Sequence, residues 1–279
     1  MEPGVQSGKS DVTRSEVGNE TAIPWLPTET GQVFKLLANV AELSRFVLVG
    51  GTAMALHCQH RLSEDLDFWL PEGRLREREI RPVIEALRQA SYEVVFTYPS
   101  AGEISAFKIQ RGLFEGISLE ERMREYSANG VKIQFFAPED HERDVFGPFA
   151  STALYQVPAM PFPSTFGIMP LDGIFAMKAY AIQRRYRSRD LLDLWHFIRT
   201  GRTISDIVTE AQRVTTTATA ERALVVLRGD LPLDESDEGF QSLASEITLD
   251  QIHADFRDWT DRYEQDLVRS IAATALKPG

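Results

Sequence analysis

Asp65 and Asp67 stand two residues apart where an apolar run begins (Leu66, Phe68, Trp69, Leu70). Residues two apart on a strand point to one face. Two carboxylates on one face make a site for hard divalent cations such as Mg²⁺. Upstream, Gly50-Gly51-Thr52 directly follows a short apolar run, Phe46 to Val49. Glycines at a strand-to-helix turn let backbone N–H groups close on phosphate at the helix start. Thr52 is read as the N-cap of that helix. Ser63 is placed to cap or to contact phosphate, and Glu64 points to the opposite face. Strand, glycine turn, helix and acidic strand thus bring phosphate binding and metal binding to one place, where the aspartates would hold two Mg²⁺ ions that bridge phosphates and activate a hydroxyl. The bland alternative is a solvent-facing strand end with two incidental aspartates. It is disfavoured because Asp is poor in strands and like charges on one face repel unless a cation sits between them. The glycine pair alone signals only a turn. It is neither a Walker A loop nor a dinucleotide fingerprint.

A second cluster is MKAYAIQRRYRSRDLLDLW, residues 177–195. Lys178, Arg185 and Arg189 share a face if one helix runs through them. Ser188 is the alternative restart, as an N-cap. A lysine offers a mobile point charge to a triphosphate, and arginines offer forked donors. Asp190 and Asp193 could pin these cations or approach the metal site; a salt-bridge network between two helices is the competing reading. His57 and His60 lie three apart with no third ligand near in sequence, so packing or polar surface is the better reading, and His196 reads as structural.

The elements that must position these groups follow from periodicity. Helical spacing covers 29–43, 52–60 and 75–90, and strands are expected at 46–49, 66–70, 92–98, 104–110 and 131–136. Residues 137–170 are rich in Pro and Phe and read as an ordered connection. Helices follow at about 171–185, 188–200, 203–214, 219–228 and 249–273, with Gly201 and Arg199 marking one helix end. The first half is mixed and the second mostly helical, an α+β arrangement. Three units are expected: a mobile tail over 1–25, a core over 26–165 and a helical C-terminal domain over 166–279.

The chain has 279 residues, 43% hydrophobic and 25% charged, as in ordinary globular proteins. Its one cysteine, Cys58, excludes an intrachain disulfide and a Cys-rich zinc site, and fits a reducing cytoplasm. No apolar run approaches the roughly 20 residues that span a bilayer, and no signal-peptide pattern opens the chain. The net charge of −11 argues against general nucleic-acid coating. The basic stretch 171–202 can still form a local face for a polyanion, while the acidic stretch 230–266 reads as a solvated helical face.

Together, the glycine turn, Arg61-Leu62-Ser63-Glu64-Asp65-Leu66-Asp67-Phe68, Lys178 and Arg189-Asp190-Leu191-Leu192-Asp193 resemble the AbiEii-type nucleotidyltransferases, which include the MenT toxins. The resemblance covers about 30–202. It implies a DNA polymerase β-like nucleotidyltransferase core with a helical C-terminal part, transferring a nucleoside monophosphate from an NTP with release of pyrophosphate. It implies Mg²⁺ (or Mn²⁺) on Asp65 and Asp67, triphosphate contacts from Gly51, Thr52 and Lys178, and Asp193 near the catalytic centre. Gly50, Ser63, Arg185, Arg189 and Asp190 complete the expected nucleotide-binding set. An RNA acceptor, tRNA, is expected, as is a neutralising partner, either an antitoxin protein or an inhibitory modification. One departure stands out: Gln134 occupies the position on VKIQFF where the wider superfamily often has a third carboxylate, and an amide is neither a base nor a strong metal ligand. A small-molecule or protein acceptor, and a catalytically silent nucleotide-binding module, are the alternative functions.

Overall fold

A computed structural model describes residues 22–111, 118–240 and 246–275. Its sheet is built around Val47–Val49 (β1), Leu66–Trp69 (β2) and Val131–Phe136 (β5). β1 runs antiparallel to β2, and β2 parallel to β5. Met123–Ala128 (β4) and Val94–Tyr98 (β3) extend it by antiparallel pairing, and Gly167–Ile168 (β6) joins the other edge parallel to β1. The strand order is β3-β4-β5-β2-β1-β6.

Alternation divides the sheet into two faces. Along β5, Val131, Ile133 and Phe135 are buried while Lys132, Gln134 and Phe136 are half-buried. Phe68 and Phe135 stack at 5.6 Å, Phe46 meets Phe135 edge-on at 5.5 Å, and Phe166 meets Phe68 at 5.0 Å. Thr28–Leu37 (α1) and Glu77–Gln89 (α3) contribute Phe34, Leu37, Ile80 and Val83 to the same core. Phe135 is wholly buried among these rings. Phe135→Ala should therefore cost about 3–5 kcal/mol by chemical denaturation; a loss under about 1 kcal/mol would show that this aromatic cluster does not carry the core.

Several expectations are corrected. Residues 104–110, expected as a strand, lie in a helix, Ala101–Arg111 (α4). Ser100 and Glu103 start it with reciprocal bonds: Glu103 Oε2 accepts from the Ser100 N–H at 2.8 Å, and Ser100 Oγ accepts from the Glu103 N–H at 3.3 Å. β4 was not expected; Arg124 and Glu125 interrupt its apolar residues. The Pro-rich connection contains a helix, Asp140–Ala150 (α5), and the strand β6. β6 lies beyond residue 165, so the expected helical domain also contributes to the sheet. Of the expected tail, residues 1–21 lie outside the described residues, but Ile23 is buried and the Trp25 carbonyl accepts from the Ser63 N–H at 3.0 Å.

The remaining helices are Gly50–Cys58 (α2), Leu171–Ala181 (α6), Ser188–Arg199 (α7), Ile204–Val214 (α8), Ala220–Arg228 (α9) and Leu249–Ala275 (α10). Among the described residues, no helix is long and apolar enough to cross a membrane.

Candidate active site

β1 runs straight into α2. Gly50 takes φ +71, a conformation open to glycine at little cost, and a Cβ there would collide with the Asp67 carboxylate. The reason is register: Val49 pairs with Asp67 across β1 and β2. A Cβ on Gly51 would strike the Arg61 guanidinium and lie 3.1 Å from Ser63 Oγ. Both glycines are thus demanded by what packs over them. Gly50→Ala should displace Asp67 and cost about 1–3 kcal/mol, with nucleotide transfer falling at least as steeply. A variant with unchanged melting and unchanged rate would refute this contact.

The segment from His60 to Asp65 is pinned from several sides. Thr30 Oγ1 donates to the Glu64 carbonyl at 2.9 Å. The Thr52 hydroxyl donates to the Asp65 carbonyl and lies 2.9 Å from Ser63 Oγ. Thr52 is therefore not the N-cap of α2; the helix begins two residues earlier, and this buried hydroxyl ties helix to acidic strand instead.

Asp65 and Asp67 emerge on the face of the sheet opposite the aromatic core. Asp65 Oδ2 pairs with Lys132 Nζ at 2.9 Å. Burial, then the charge of Asp65, pushes the Asp67 carboxyl up to about 6, against the pull of Lys132, Arg185 and Lys178. Gln134 lies beside Asp67 in the parallel β2–β5 register, and its amide donates to Met123 Sδ at 3.2 Å. Asp67 opens into a cleft of about 490 Å³ with Gly50, Gly51, Gln134, Lys178, Arg184 and Arg185 around it. Its outer walls carry Arg122, Phe107, Phe136, Glu139 and Glu142.

Lys178 reaches this cleft from a buried network. Its ammonium lies 2.7 Å from Asp190 Oδ1 and 2.6 Å from Asp193 Oδ2. Asp193, fully buried, also accepts from Arg61 Nε at 2.7 Å and Nη2 at 3.1 Å, and lies 2.8 Å from His60 Nε2. Arg185 forks onto Asp190 at 2.7 and 3.2 Å. Burial alone would raise both carboxyls. The Lys178 and Arg185 cations overcome it and hold Asp190 at about 2, while Arg61, Lys178 and the His60 contact hold Asp193 well below the usual carboxylate range.

The structure therefore sorts the expected residues. Gly50, Gly51, Asp67, Lys178 and Arg185 line one cleft, with Asp65 beside it. Thr52, Ser63, Asp190 and Asp193 stand buried behind it. Arg189 turns away, paired with Glu64 at 3.0 Å and Glu238 at 3.1 Å. The single helical face expected for Lys178, Arg185 and Arg189 does not exist, because α6 stops at Ala181 and α7 restarts at Ser188. Ser188 follows the N-cap Arg187, and its hydroxyl donates to Asp237 at 2.9 Å. His57 bonds the Met169 carbonyl, and the His60 and His196 rings lie 4.8 Å apart, tilted by 40°. Among the described residues no group of three or more acidic, His or Cys side chains is arranged to hold a metal. Cys58 is half-buried, and burial lifts its thiol to about 11, which makes it unreactive.

Sequence reasoning missed Lys132, Arg122, and the parts Arg61 and His60 play in holding Asp193. Lys132 could have been found only from the β2–β5 register. The Arg61–Asp193 pair spans 132 residues of chain.

Solved structures similar to this chain include a mycobacterial toxin and a Helicobacter pylori protein. MenT4, a nucleotidyltransferase toxin from Mycobacterium tuberculosis H37Rv, is 17% identical with a TM-score of 0.48, over 88% of this chain and 94% of that one. JHP933 from Helicobacter pylori is 16% identical with a TM-score of 0.42, over 91% of this chain and 100% of that one. A comparison with curated proteins gave no match. The model of the family described as "Nucleotidyl transferase AbiEii toxin, Type IV TA system" matches residues 33–268, which takes in both the acidic strand and the Lys178 network. The chain is a nucleotidyltransferase and belongs to the AbiEii toxin family of type IV toxin–antitoxin systems.

Proposed function

We propose that this protein moves a nucleoside monophosphate from an NTP to an RNA acceptor, tRNA, using Mg²⁺ or Mn²⁺ held by Asp65 and Asp67. One observation carries the reading: Asp67, Gly50-Gly51 and Lys178 converge on one cleft from three separate elements. The donor set suits a hard divalent ion, since both groups are carboxylates and burial together with a like charge raises Asp67. Bound there, Mg²⁺ would offset phosphate charge and orient the triphosphate.

The chain's own residues account for the rest. Gly50 and Gly51 let the triphosphate approach the backbone at the start of α2. Lys178, kept charged and oriented by Asp190 and Asp193, meets phosphate oxygens. The acceptor hydroxyl attacks the α-phosphorus and loses its proton to water. The bond to the β-phosphate breaks, and pyrophosphate leaves. Arg184 and Arg185, both half-exposed at the cleft, steer a polyanionic acceptor. A cognate antitoxin protein is the partner that would restrain this activity.

A second acceptor class is favoured by one feature. Glu139 and Glu142 share the cleft wall with the arginines, and together with the net acidity they would suit a cationic small molecule or a protein side chain. The deciding experiment incubates the protein with Mg²⁺, each α-³²P-labelled NTP in turn and total RNA, beside an Asp67→Ala control. Label in a tRNA-sized band, removed by RNase and missing in the control, is the expected result. Label that survives RNase would overturn the RNA acceptor, and no label with any NTP and any acceptor would overturn the whole reading.

A further inference from the structure

The parallel pairing of β2 and β5 sets a cation and an amide beside the two aspartates. Asp67 pairs with Gln134 and Leu66 with Ile133, which carries Lys132 next to Asp65. The Lys132 ammonium lies 2.9 Å from Asp65 Oδ2, and its side chain is about one-third exposed. It sits in the field of three carboxylates, Asp65, Asp67 and Glu125. Glu125 is in register with Gln134 on the next strand, so the row Asp67–Gln134–Glu125 crosses three strands on one face.

A two-ion site needs carboxylates that bridge both ions, which stand about 3.5–4 Å apart. Here the neighbour of Asp67 is a neutral amide, and one oxygen of Asp65 already faces a fixed positive charge. A second divalent ion at Asp65 would have to displace that ammonium or lie against it, and like charges at such distances repel strongly. We propose that Lys132 is a resident cation of the active site, taking the place of one divalent ion, so that each chain binds one divalent ion through Asp65 and Asp67 rather than two. This rests on the reading of Asp65 and Asp67 as metal ligands. The positive charge that a second ion would lend to the reacting phosphate comes from the protein itself, ready before nucleotide arrives.

The test counts ions directly. Crystals of the full chain grown with Mn²⁺ and a non-hydrolysable α,β-imido NTP are measured for anomalous scattering. One manganese peak within coordination distance of Asp65 or Asp67 is expected in the unsubstituted protein and in Lys132→Arg, and two in Lys132→Met. Titration of free Mn²⁺ by electron paramagnetic resonance, on protein without nucleotide, should show about tenfold tighter binding in Lys132→Met. Two peaks in the unsubstituted protein would overturn the resident-cation role while leaving the aspartates as ligands. No peak at either aspartate would overturn the metal reading and this inference with it. Should Lys132→Met not fold, the count in the unsubstituted protein still decides.

Discussion

Asp67→Asn is expected to silence nucleotide transfer while making the ion-free protein more stable. The two effects have one cause. Burial and the adjacent Asp65 raise the Asp67 carboxyl to about 6, from 3.8 in an unfolded chain. The folded protein therefore holds this proton more tightly than the unfolded chain does. Stability from this group is fully present below about pH 4 and is lost as pH rises to about 6; above that the ionised carboxylate costs on the order of 3 kcal/mol. Asparagine keeps the shape and cannot ionise, so at pH 7.5 in chelator it should melt higher than the unsubstituted protein, and below about pH 4 the two should converge. Divalent ions should raise the melting temperature of the unsubstituted protein and leave Asp67→Asn unmoved. Transfer should fall by at least about 10³-fold, because the group that would hold the ion against the triphosphate is gone. A variant that melts lower at pH 7.5 would sink the electrostatic account, and one that still transfers nucleotide would sink the catalytic one.

The second large effect has the opposite sign. Asp193→Asn should destabilise the protein by about 3–5 kcal/mol, because it removes the carboxylate paired with the buried Arg61 guanidinium and leaves Lys178 with Asp190 alone. For a chain of this size that is a fall of roughly 10 °C in melting temperature. Asp193 is held far below its ordinary value, so its stabilisation is complete above the unfolded value near 4 and is lost on acidification. The gap between variant and unsubstituted protein should therefore be widest at neutral pH and shrink below about pH 4. Asp190→Asn should cost less, since Lys178 retains Asp193, and should act mainly by raising the KM for NTP. If Asp193→Asn melted normally yet lost all transfer, Asp193 would belong to the chemistry rather than to the placement of Lys178.

What could be read from the sequence was local. Gly50, Gly51, Asp65 and Asp67 fall within one strand–turn–helix–strand unit, where spacing alone fixes which groups share a face. Lys178, Asp190 and Asp193 were legible as a cluster, but the partners that hold it were not: Arg61 and His60 arrive from more than 130 residues away. Residues 104–110 alternate like a strand, yet the Ser100–Glu103 cap makes them a helix. β4 hides for the reverse reason: its open face carries Met123, at the cleft, and Glu125, and Arg124 interrupts the other face, so no clean apolar rhythm shows. Register across strands, which sets Lys132 beside Asp65, has no signature in a single segment.

The two-residue strand β6 gives the molecule a built-in order of assembly. During synthesis the ribosome delivers β1, the glycine turn and both aspartates long before residues 167–168 emerge to flank β1. Until then β1 is a bare edge, and Lys178 and Asp193 have yet to be made. A translation product cut short at residue 165 carries the acidic strand but neither the closing strand nor the lysine. For a member of a toxin family, nucleotide transfer is thus expected only once most of the polypeptide exists, and fragments of it are expected to be inert or to aggregate through that unguarded edge.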